Sequence, residues 1–261
     1  MIDIIIPSFN DIRIIRTIKS LNYSIDRNIL KLIIIDGGSD YSLIELIKLN
    51  LNKSDILISE KDKGIFDALN KGLDMAKSDF IYWLGSDDFI NIDYNFLDIV
   101  NQFNNNDNLD CICSTTVFFN KNTVTRVFSI QKINLFLYKI GVHLPHFSTI
   151  WRRSTIDNIR FDLNYKIASD YDFFFRVFLS KKINVKIDSK ILVYMEEGGN
   201  STAGISQRIK GFKDVFNIHK KHTNIMQTFF SIILRYSFKI VEKFNAKKSK
   251  SNIINTLSKL I

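Results

Sequence analysis

Short apolar runs alternate with amphipathic stretches through the N-terminal third of the chain. Asp3-Ile4-Ile5-Ile6 is stopped by Pro7, and residues 11–22 follow with helical spacing at Ile12, Ile15, Ile18 and Leu21. Lys31–Ile35 predicts a second strand, Leu43–Leu51 a helix, and Ile56–Ser59 a third strand. Ile65–Ala76 then predicts a helix with Ile65, Leu69, Leu73 and Ala76 on one face, and Phe80–Leu84 a fourth strand. Near-continuous apolar runs of this length mark strands covered on both faces. Strand and helix alternating at short intervals predict an α/β layer with a mostly parallel sheet.

The middle of the chain has a different rhythm. Asp110–Phe119 and Val124–Ile130 read as a hairpin around Asn120-Lys121-Asn122, residues 131–142 as a short helix, and Phe147–Trp151 as a strand. Tyr171–Leu179 is helical after Ala168-Ser169-Asp170, and Ile191–Met195 is a last strand leading into Glu196-Glu197-Gly198-Gly199. The expected organisation is one domain over residues 1–205, dividing near residue 100, with a helical extension over 206–261.

Each early strand ends in a polar cluster: PSFN, DGGSD, SEKDKG and GSDD in turn. Ligands of open parallel sheets bind outside the carboxyl ends of the strands, so these clusters are expected to meet at one crevice. The last is the most demanding. Phe80-Ile81-Tyr82-Trp83-Leu84 runs into Gly85, Ser86 and the neighbouring carboxylates Asp87 and Asp88. Like charges at the mouth of a buried strand are costly unless a cation lies between them, and oxygen ligands suit Mg²⁺ or Mn²⁺. A solvated turn is the plain alternative for these residues, as an αL turn is for Asp36–Asp40.

Charge sharpens the division of the chain. The formal net charge is +9, but from Arg208 to Ile261 there are twelve Lys/Arg against Asp214 and Glu242, a net +10, and the rest is close to neutral. A basic tail on a neutral body points to an anionic surface as partner. No apolar run reaches the ~20 residues that span a bilayer, and MIDIIIPSFN lacks the features of a secretory signal. Cys111 and Cys113 are expected to face opposite sides of a strand and stay unpaired, which fits a reducing cytosol. No His/Cys cluster has zinc spacing.

Taken in order, Pro7-Ser8-Phe9-Asn10, Asp36-Gly37-Gly38-Ser39-Asp40, Asp62–Gly72 (DKGIFDALNKG), Gly85-Ser86-Asp87-Asp88, His146-Phe147-Ser148-Thr149 with Arg152-Arg153, and Ala168-Ser169-Asp170-Tyr171-Asp172 resemble the family 2 glycosyltransferases. These are inverting enzymes of the GT-A fold, an α/β architecture with a Rossmann-like sheet, and many build bacterial surface polysaccharides such as O-antigen. The resemblance covers roughly residues 1–205. It implies that Phe9 stacks on the nucleotide base, with Pro7 and Ser8 lining the pocket, and that Asp36 accepts a hydrogen bond from the base. It places Asp62 and Lys63 in a loop over the nucleotide, and turns Asn70 and Lys71 toward the pyrophosphate or base. Asp88 becomes the metal-binding carboxylate for Mn²⁺ or Mg²⁺, and Asp87 its neighbour on the ribose or sugar. Asp170 becomes the catalytic base, against the alternative of a helix N-cap. His146 and Arg152 fall in the acceptor segment.

One departure stands out. Many relatives carry a His near the final loop, where this chain reads Tyr194–Ser201 without one; Glu197 or the amides of Gly198 and Gly199 are the open substitutes. The Trp motif and membrane spans of processive synthases are absent too, which favours transfer of a single sugar. His143, His219 and His222 have no motif support, and Phe173-Phe174-Phe175 reads as core.

In the tail, Met226, Phe229, Phe230, Ile233, Ile240 and Phe244 share one helical face, with Arg235, Lys239, Glu242 and Lys243 opposite and Lys247-Lys248-Ser249-Lys250 beyond. This helix either packs on the domain or lies in a membrane interface. The expected protein is therefore a metal-dependent, UDP-sugar-using hexosyltransferase, peripheral on the inner face of the plasma membrane. Its acceptor is a saccharide on a lipid diphosphate such as undecaprenyl diphosphate, and no nucleic acid is expected. Two rivals are a nucleotidyltransferase, which usually needs a glycine-rich basic loop that PSFNDIR lacks, and a membrane-binding protein without activity, which leaves the strand-end clusters without a purpose.

Overall fold

The computed structural model describes residues 1–120, 123–197 and 204–248. The first half contains β1 (Ile2–Ser8), α1 (Ile14–Asn22), β2 (Leu30–Asp36), α2 (Tyr41–Leu49), β3 (Ile56–Ser59), α3 (Ile65–Met75), β4 (Phe80–Trp83), β5 (Phe89–Ile90) and α4 (Phe96–Asn104). The second half contains β6 (Cys111–Asn120), β7 (Thr123–Phe128), α5 (Leu135–Lys139), β8 (Thr149–Arg152), α6 (Arg153–Ile156), α7 (Ser169–Ser180), β9 (Val185–Glu196), α8 (Gly204–His222) and α9 (Ile225–Lys248).

The strands form a single sheet in the order β3-β2-β1-β4-β8-β6-β9-β5, with β7 paired to β6. It is parallel through β3-β2-β1-β4, as the apolar runs predict. Beyond β4 it is mixed: β8 is antiparallel to β4 and β6, β6 is parallel to β9, and β5 and β7 are antiparallel additions. "Mostly parallel" therefore describes the N-terminal half alone. The two-residue β5 was not foreseen from sequence. It follows the SDD cluster directly and pairs with β9, which turns that cluster back toward the sheet.

Successive side chains on a strand point to opposite faces, and the sheet uses both. Ile5, Ile33, Ile35, Ile81 and Trp83 pack under α3 and the phenylalanines of α7. Ile4, Ile6, Leu32, Ile34, Phe80 and Tyr82 pack on α1, α2 and α4. Cys111 and Cys113 lie in the first of these cores together, which corrects the expectation of opposite faces. Residues two apart on a strand share a face, and they stay free because about 6.6 Å of extended chain separates their Cα atoms, at the edge of disulfide reach. The buried stripe of α1 is Ile14, Thr17, Ile18 and Leu21, while Ile12 precedes the helix and is exposed.

Gly72 marks the tightest helix–sheet contact: a Cβ there would fall 2.3 Å from Ile5 Cγ2. Gly72→Ala is expected to destabilise the fold by about 1–3 kcal/mol through overpacking, read as a lower urea midpoint with an unchanged slope.

The C-terminal extension is not a separate body. Val215 and Ile218 of α8 join the first core, and Asp214 accepts the amides of Ile167 and Ala168 just before α7. The chain then turns into α9, which buries its small residues Thr228 and Ser231 against the domain. Gly141 allows that approach, since a Cβ there would sit 2.4 Å from the Ser231 carbonyl oxygen. The apolar residues Ile225, Met226, Phe229, Phe230 and Ile233 face outward, 60–78% exposed. The tail helix thus packs on the domain and still leaves its apolar face uncovered. Side chains beyond Ser237, and the Lys247–Lys250 run in part, lie outside the described residues.

Candidate active site

The loops after β1 and β2 are stitched together at the carboxyl edge of the sheet. Gly37 N–H donates to the Ser8 carbonyl at 2.8 Å. Asn10, held at φ 48°, donates its amide to Ser39 Oγ at 2.7 Å and accepts the Asp40 amide on Oδ1 at 3.1 Å. Asp36 is fully buried, and its carboxylate accepts from the amides of Gly38 and Ser39 and the hydroxyls of Ser39 and Ser59. Those bonds hold the turn's shape, so in this arrangement Asp36 serves the pocket through the loop that it braces.

Phe9, Gly37 and Asp62 meet in this place. A Cβ on Gly37 would lie 3.2 Å from the Phe9 ring and 2.9 Å from Asp62 Oδ2. Phe9 is 63% exposed, an unusual setting for a ring on the end of a central strand. Ser8 Oγ is buried beside it without a partner among the described residues, and Pro7 pairs with Ile35 within the sheet. Asp62 Oδ1 accepts the Gly64 amide at 2.8 Å, closing the turn into α3, and the Lys63 side chain is exposed next to it.

Two residues of α3 are engaged by protein partners. Asn70 exchanges two hydrogen bonds with the Phe161 backbone, at 2.9 and 2.7 Å. Lys71 Nζ pairs with Glu60 at 2.5 Å and approaches Asp67 at 3.9 Å. Asn70 therefore fastens α3 to the segment before α7, and Lys71 remains on the rim of the nucleotide-side loops.

The carboxylates at the end of β4 are wrapped around Gly85, where a Cβ would lie 2.6 Å from Asp88 Oδ2 and 3.1 Å from Asp87 Oδ1. Asp88 is only 2% exposed and its Oδ2 has no hydrogen-bond partner among the described residues. Burial, reinforced by Asp87, pushes the Asp88 carboxyl well above the ordinary carboxylate range; burial also raises Asp87, against the pull of Arg13. Arg13 and Arg16 of the β1–α1 segment brace this turn. Arg13 comes within 3.5 Å of Asp87 Oδ2, and Arg16 donates to the Asp87 carbonyl at 2.8 Å and to Glu196 at 2.9 Å. Thr17 Oγ1 donates to the Ser86 carbonyl at 2.8 Å. These supports were missed in the sequence. Their only signal was two arginines three residues apart directly after the first strand-end cluster. The acid turned toward Asp87 is Glu196 rather than Glu197, whose side chain is exposed; Gly198 and Gly199 lie outside the described residues.

A buried carboxylate oxygen left unpaired beside a second carboxylate is a place that a divalent cation could fill. Among the described residues no group of three His, Cys, Asp or Glu is placed to hold a metal by itself. Mg²⁺ and Mn²⁺ commonly take one or two carboxylates and complete their shells with phosphates and water.

Trp83 ties β4 to the second half of the molecule. Its Nε1–H donates to His146 Nδ1 at 3.0 Å, and its ring packs on Phe173 at 5.7 Å and Phe174 at 6.0 Å. His146 is buried, and burial drives its pKa down to about 3, so it is a neutral member of this aromatic cluster. The cluster packs α7, which carries Asp170 in its first turn, against Trp83 at the end of β4. Asp170 is not the N-cap, a position held by Ala168. Burial raises the Asp170 carboxyl above its ordinary range, opposed by the amides at the helix start and by Arg235. The second acid of this motif, Asp172, is fully buried and bonded to Arg176 at 2.7 Å and His222 at 3.2 Å.

Arg152 stands apart from all of these. It donates to the carbonyls of Leu109, Phe103 and Asn106, at the amino end of β4 where Phe80 pairs with it. That is the edge of the sheet opposite the crevice. The expected acceptor role gives way to capping the end of α4, because the alternation along β8 and the register with β4 point this side chain toward the α4 terminus.

A GT-A α/β domain is the class that this architecture defines. The fold matches the S. aureus TarS fragment 1–349 solved with UDP-GlcNAc, at a TM-score of 0.67 and 17% identity over 99% of this chain and 80% of that one. It also matches the mannosyltransferase PcManGT from Pyrobaculum calidifontis solved with GDP-Man and Mn2+, at 0.61 and 11% identity over 98% and 77% of the two chains. The match to the longer TarS chain spans 38% of that protein. Glycosyl transferase family 2 matches residues 3–181, and the chain belongs to that family. The PGL/p-HBAD biosynthesis glycosyltransferase of Mycobacterium tuberculosis strain H37Rv is 24% identical over 209 residues, 77% of this chain and 79% of that protein.

Proposed function

We propose that this glycosyltransferase moves a single hexose from a UDP-sugar to a saccharide carried on a lipid diphosphate, with inversion, in the synthesis of O-antigen or another surface glycan. The observation that carries the donor half is the buried Asp88 carboxylate beside Asp87 at the end of the central strand, whose Oδ2 has no partner among the described residues. Asp88, with Asp87, would hold Mn²⁺ or Mg²⁺, which neutralises the charge that grows on a diphosphate leaving group. Phe9, Ser8, Gly37 and Asp62 form the base and ribose pocket, Asp36 braces it, and Lys63 and Lys71 lie on its rim. Asp170 takes the proton of the acceptor hydroxyl as its oxygen bonds to the anomeric carbon, while the bond from that carbon to the diphosphate breaks and UDP leaves. His146 lies beneath the acceptor side as a neutral packing partner of Trp83. The UDP-GlcNAc complex of the TarS fragment favours a uridine donor.

The decisive experiment is a panel of UDP- and GDP-sugars with Mn²⁺ and synthetic lipid-diphosphate-linked GlcNAc or GalNAc. Transfer from a UDP-sugar is expected, and failure of every pair to show transfer or donor hydrolysis would overturn the assignment.

The acceptor's lipid places the enzyme at the inner face of the plasma membrane as a peripheral protein. The uncovered face of α9 (Met226, Phe229, Phe230, Ile233) and the +10 tail support that position, each basic residue near an anionic leaflet adding about 1 kcal/mol. Among the described residues no helix is long and apolar enough to cross a membrane. The protein is expected to float with vesicles containing phosphatidylglycerol and to be released by salt. Replacing both Phe229 and Phe230 by Ser should abolish flotation while preserving donor hydrolysis in solution. Undiminished flotation of that variant, or a parent protein that dimerises through this face and ignores vesicles, would refute the placement.

A further inference from the structure

One side of α1 carries a polar stripe. Arg13, directly before the helix, and Arg16, Thr17 and Ser20 within it are spaced i, i+3, i+4 and i+7, so they share a side. Thr17 and Ser20 are buried, at 0% and 3% exposure. Ile14, Ile18 and Leu21 of the same helix pack into the second core, whereas the stripe meets the turn after β4 through hydrogen bonds. Three successive carbonyls of that turn are taken by α1. Thr17 Oγ1 donates to the Ser86 carbonyl at 2.8 Å and also reaches that of Asp88. Arg16 Nη2 donates at 2.8 Å to the Asp87 carbonyl between them. Ser20 Oγ accepts the Ile90 amide at 3.2 Å, which fixes β5, and donates to the Thr17 carbonyl at 2.7 Å.

A threonine within a helix ordinarily bonds the carbonyl four residues back. For Thr17 that distance, to Arg13, is 3.5 Å, so the hydroxyl is given over to the turn. The turn has little hold on itself, since the Asp88 amide reaches the Gly85 carbonyl only at 3.3 Å. Its carbonyls lie on α1, while both carboxylates gather over Gly85, where a Cβ would meet Asp88 Oδ2 at 2.6 Å and Asp87 Oδ1 at 3.1 Å. A hydroxyl has a single proton, and here two carbonyls converge on it. Without that donor, two buried carbonyl oxygens would face each other unpaired and move apart.

We propose that Thr17 and Arg16 are positioning residues of the metal site: by gathering the Ser86, Asp87 and Asp88 carbonyls onto α1, they hold the turn in the shape that leaves Asp88 Oδ2 available to a divalent cation. This rests on Asp88 being the metal carboxylate. It gives the first helix a part in the site although none of its side chains is a ligand.

The test is Mn²⁺ affinity, read from the paramagnetic resonance signal of the free ion, for the full-length protein saturated with UDP and held well below its melting temperature. Thr17→Val keeps the shape of the side chain and removes the hydroxyl. Its Kd for Mn²⁺ is expected to rise about 10-fold, the scale on which groups that orient a metal ligand act. Thr17→Ser restores the hydroxyl and should bring the Kd back close to the parent's. Transfer by Thr17→Val should recover as Mn²⁺ is raised, because both carboxylates remain. A valine variant that binds Mn²⁺ as the parent does, whose weakened binding serine does not repair, or whose transfer is lost equally at every Mn²⁺ concentration, overturns the inference. Where the valine variant does not fold, Arg16→Met decides. Removing a positive charge near the site would by charge alone tighten cation binding. Weaker binding therefore reports lost position and supports the inference, while tighter or unchanged binding overturns it. Mn²⁺ binding lost in Asp88→Ala but unchanged in Thr17→Val removes this inference alone. A parent that takes up no Mn²⁺ with UDP, or an Asp88→Ala variant that binds it equally, removes the metal assignment and this inference with it.

Discussion

Asp88→Ala is expected to abolish metal-dependent donor binding and to lower transfer by roughly 10²–10³-fold or more, the scale on which leaving-group charge stabilisation contributes. The structural cause is the carboxylate oxygen held under the Gly85 turn without a donor among the described residues. The same geometry makes a linked stability prediction. A buried acid whose folded pKa is raised holds a proton that the unfolded chain has already released, so the metal-free protein loses stability as pH rises above the ordinary carboxylate value. A divalent cation replaces that proton and reverses the penalty. Mn²⁺ should therefore raise the melting temperature, more at pH 8 than at pH 5, and Asp88→Ala should erase the difference. Equal shifts in parent and variant would place the cation elsewhere.

Asp170→Asn is expected to retain donor affinity and lose transfer by about 10²–10⁴-fold, the usual contribution of a positioned general base. The amide is nearly the same size as the carboxylate, and Asp170 does not occupy the N-cap position of α7. The helix should therefore be little disturbed, with a melting temperature close to the parent's. Isothermal titration with UDP-sugar and Mn²⁺ beside a transfer assay separates the two quantities. Normal transfer by the variant would reduce Asp170 to a residue of the first helical turn with no part in the chemistry.

The N-terminal half of the fold was legible because its signals are local. Apolar runs such as Lys31–Ile35, closed by glycine and acidic residues, can hardly be anything but strands buried on both faces. Four such runs with polar ends bring Phe9, Asp36, Asp62 and Asp88 to one edge. Assignments that depended on which way a side chain turns were harder to make. Arg152 lies in a segment that resembles the acceptor region, yet strand register sends it to the opposite edge of the sheet. Asn70 and Asp36 have suitable chemistry, but the backbone of distant Phe161 claims the Asn70 amide, and the amides of Asp36's own turn claim its carboxylate. The two-residue β5 carries too short a pattern to be recognised, and it is this strand that folds the SDD turn back onto α1.

By itself the sequence determined the α/β class, the strand-end crevice, the paired carboxylates at its centre and the basic, amphipathic tail. Each follows from periodicity or from the placement of charge along the chain. Only the tertiary structure decided that Arg13 and Arg16 brace the carboxylates, that α8 belongs to the core, and that α9 turns its apolar face outward while Arg235 reaches Tyr171. A helix's amphipathic pattern states that it has two faces. Which face meets the domain is settled by packing, and here the close approach of Ser231 to Gly141 selects the small, polar one.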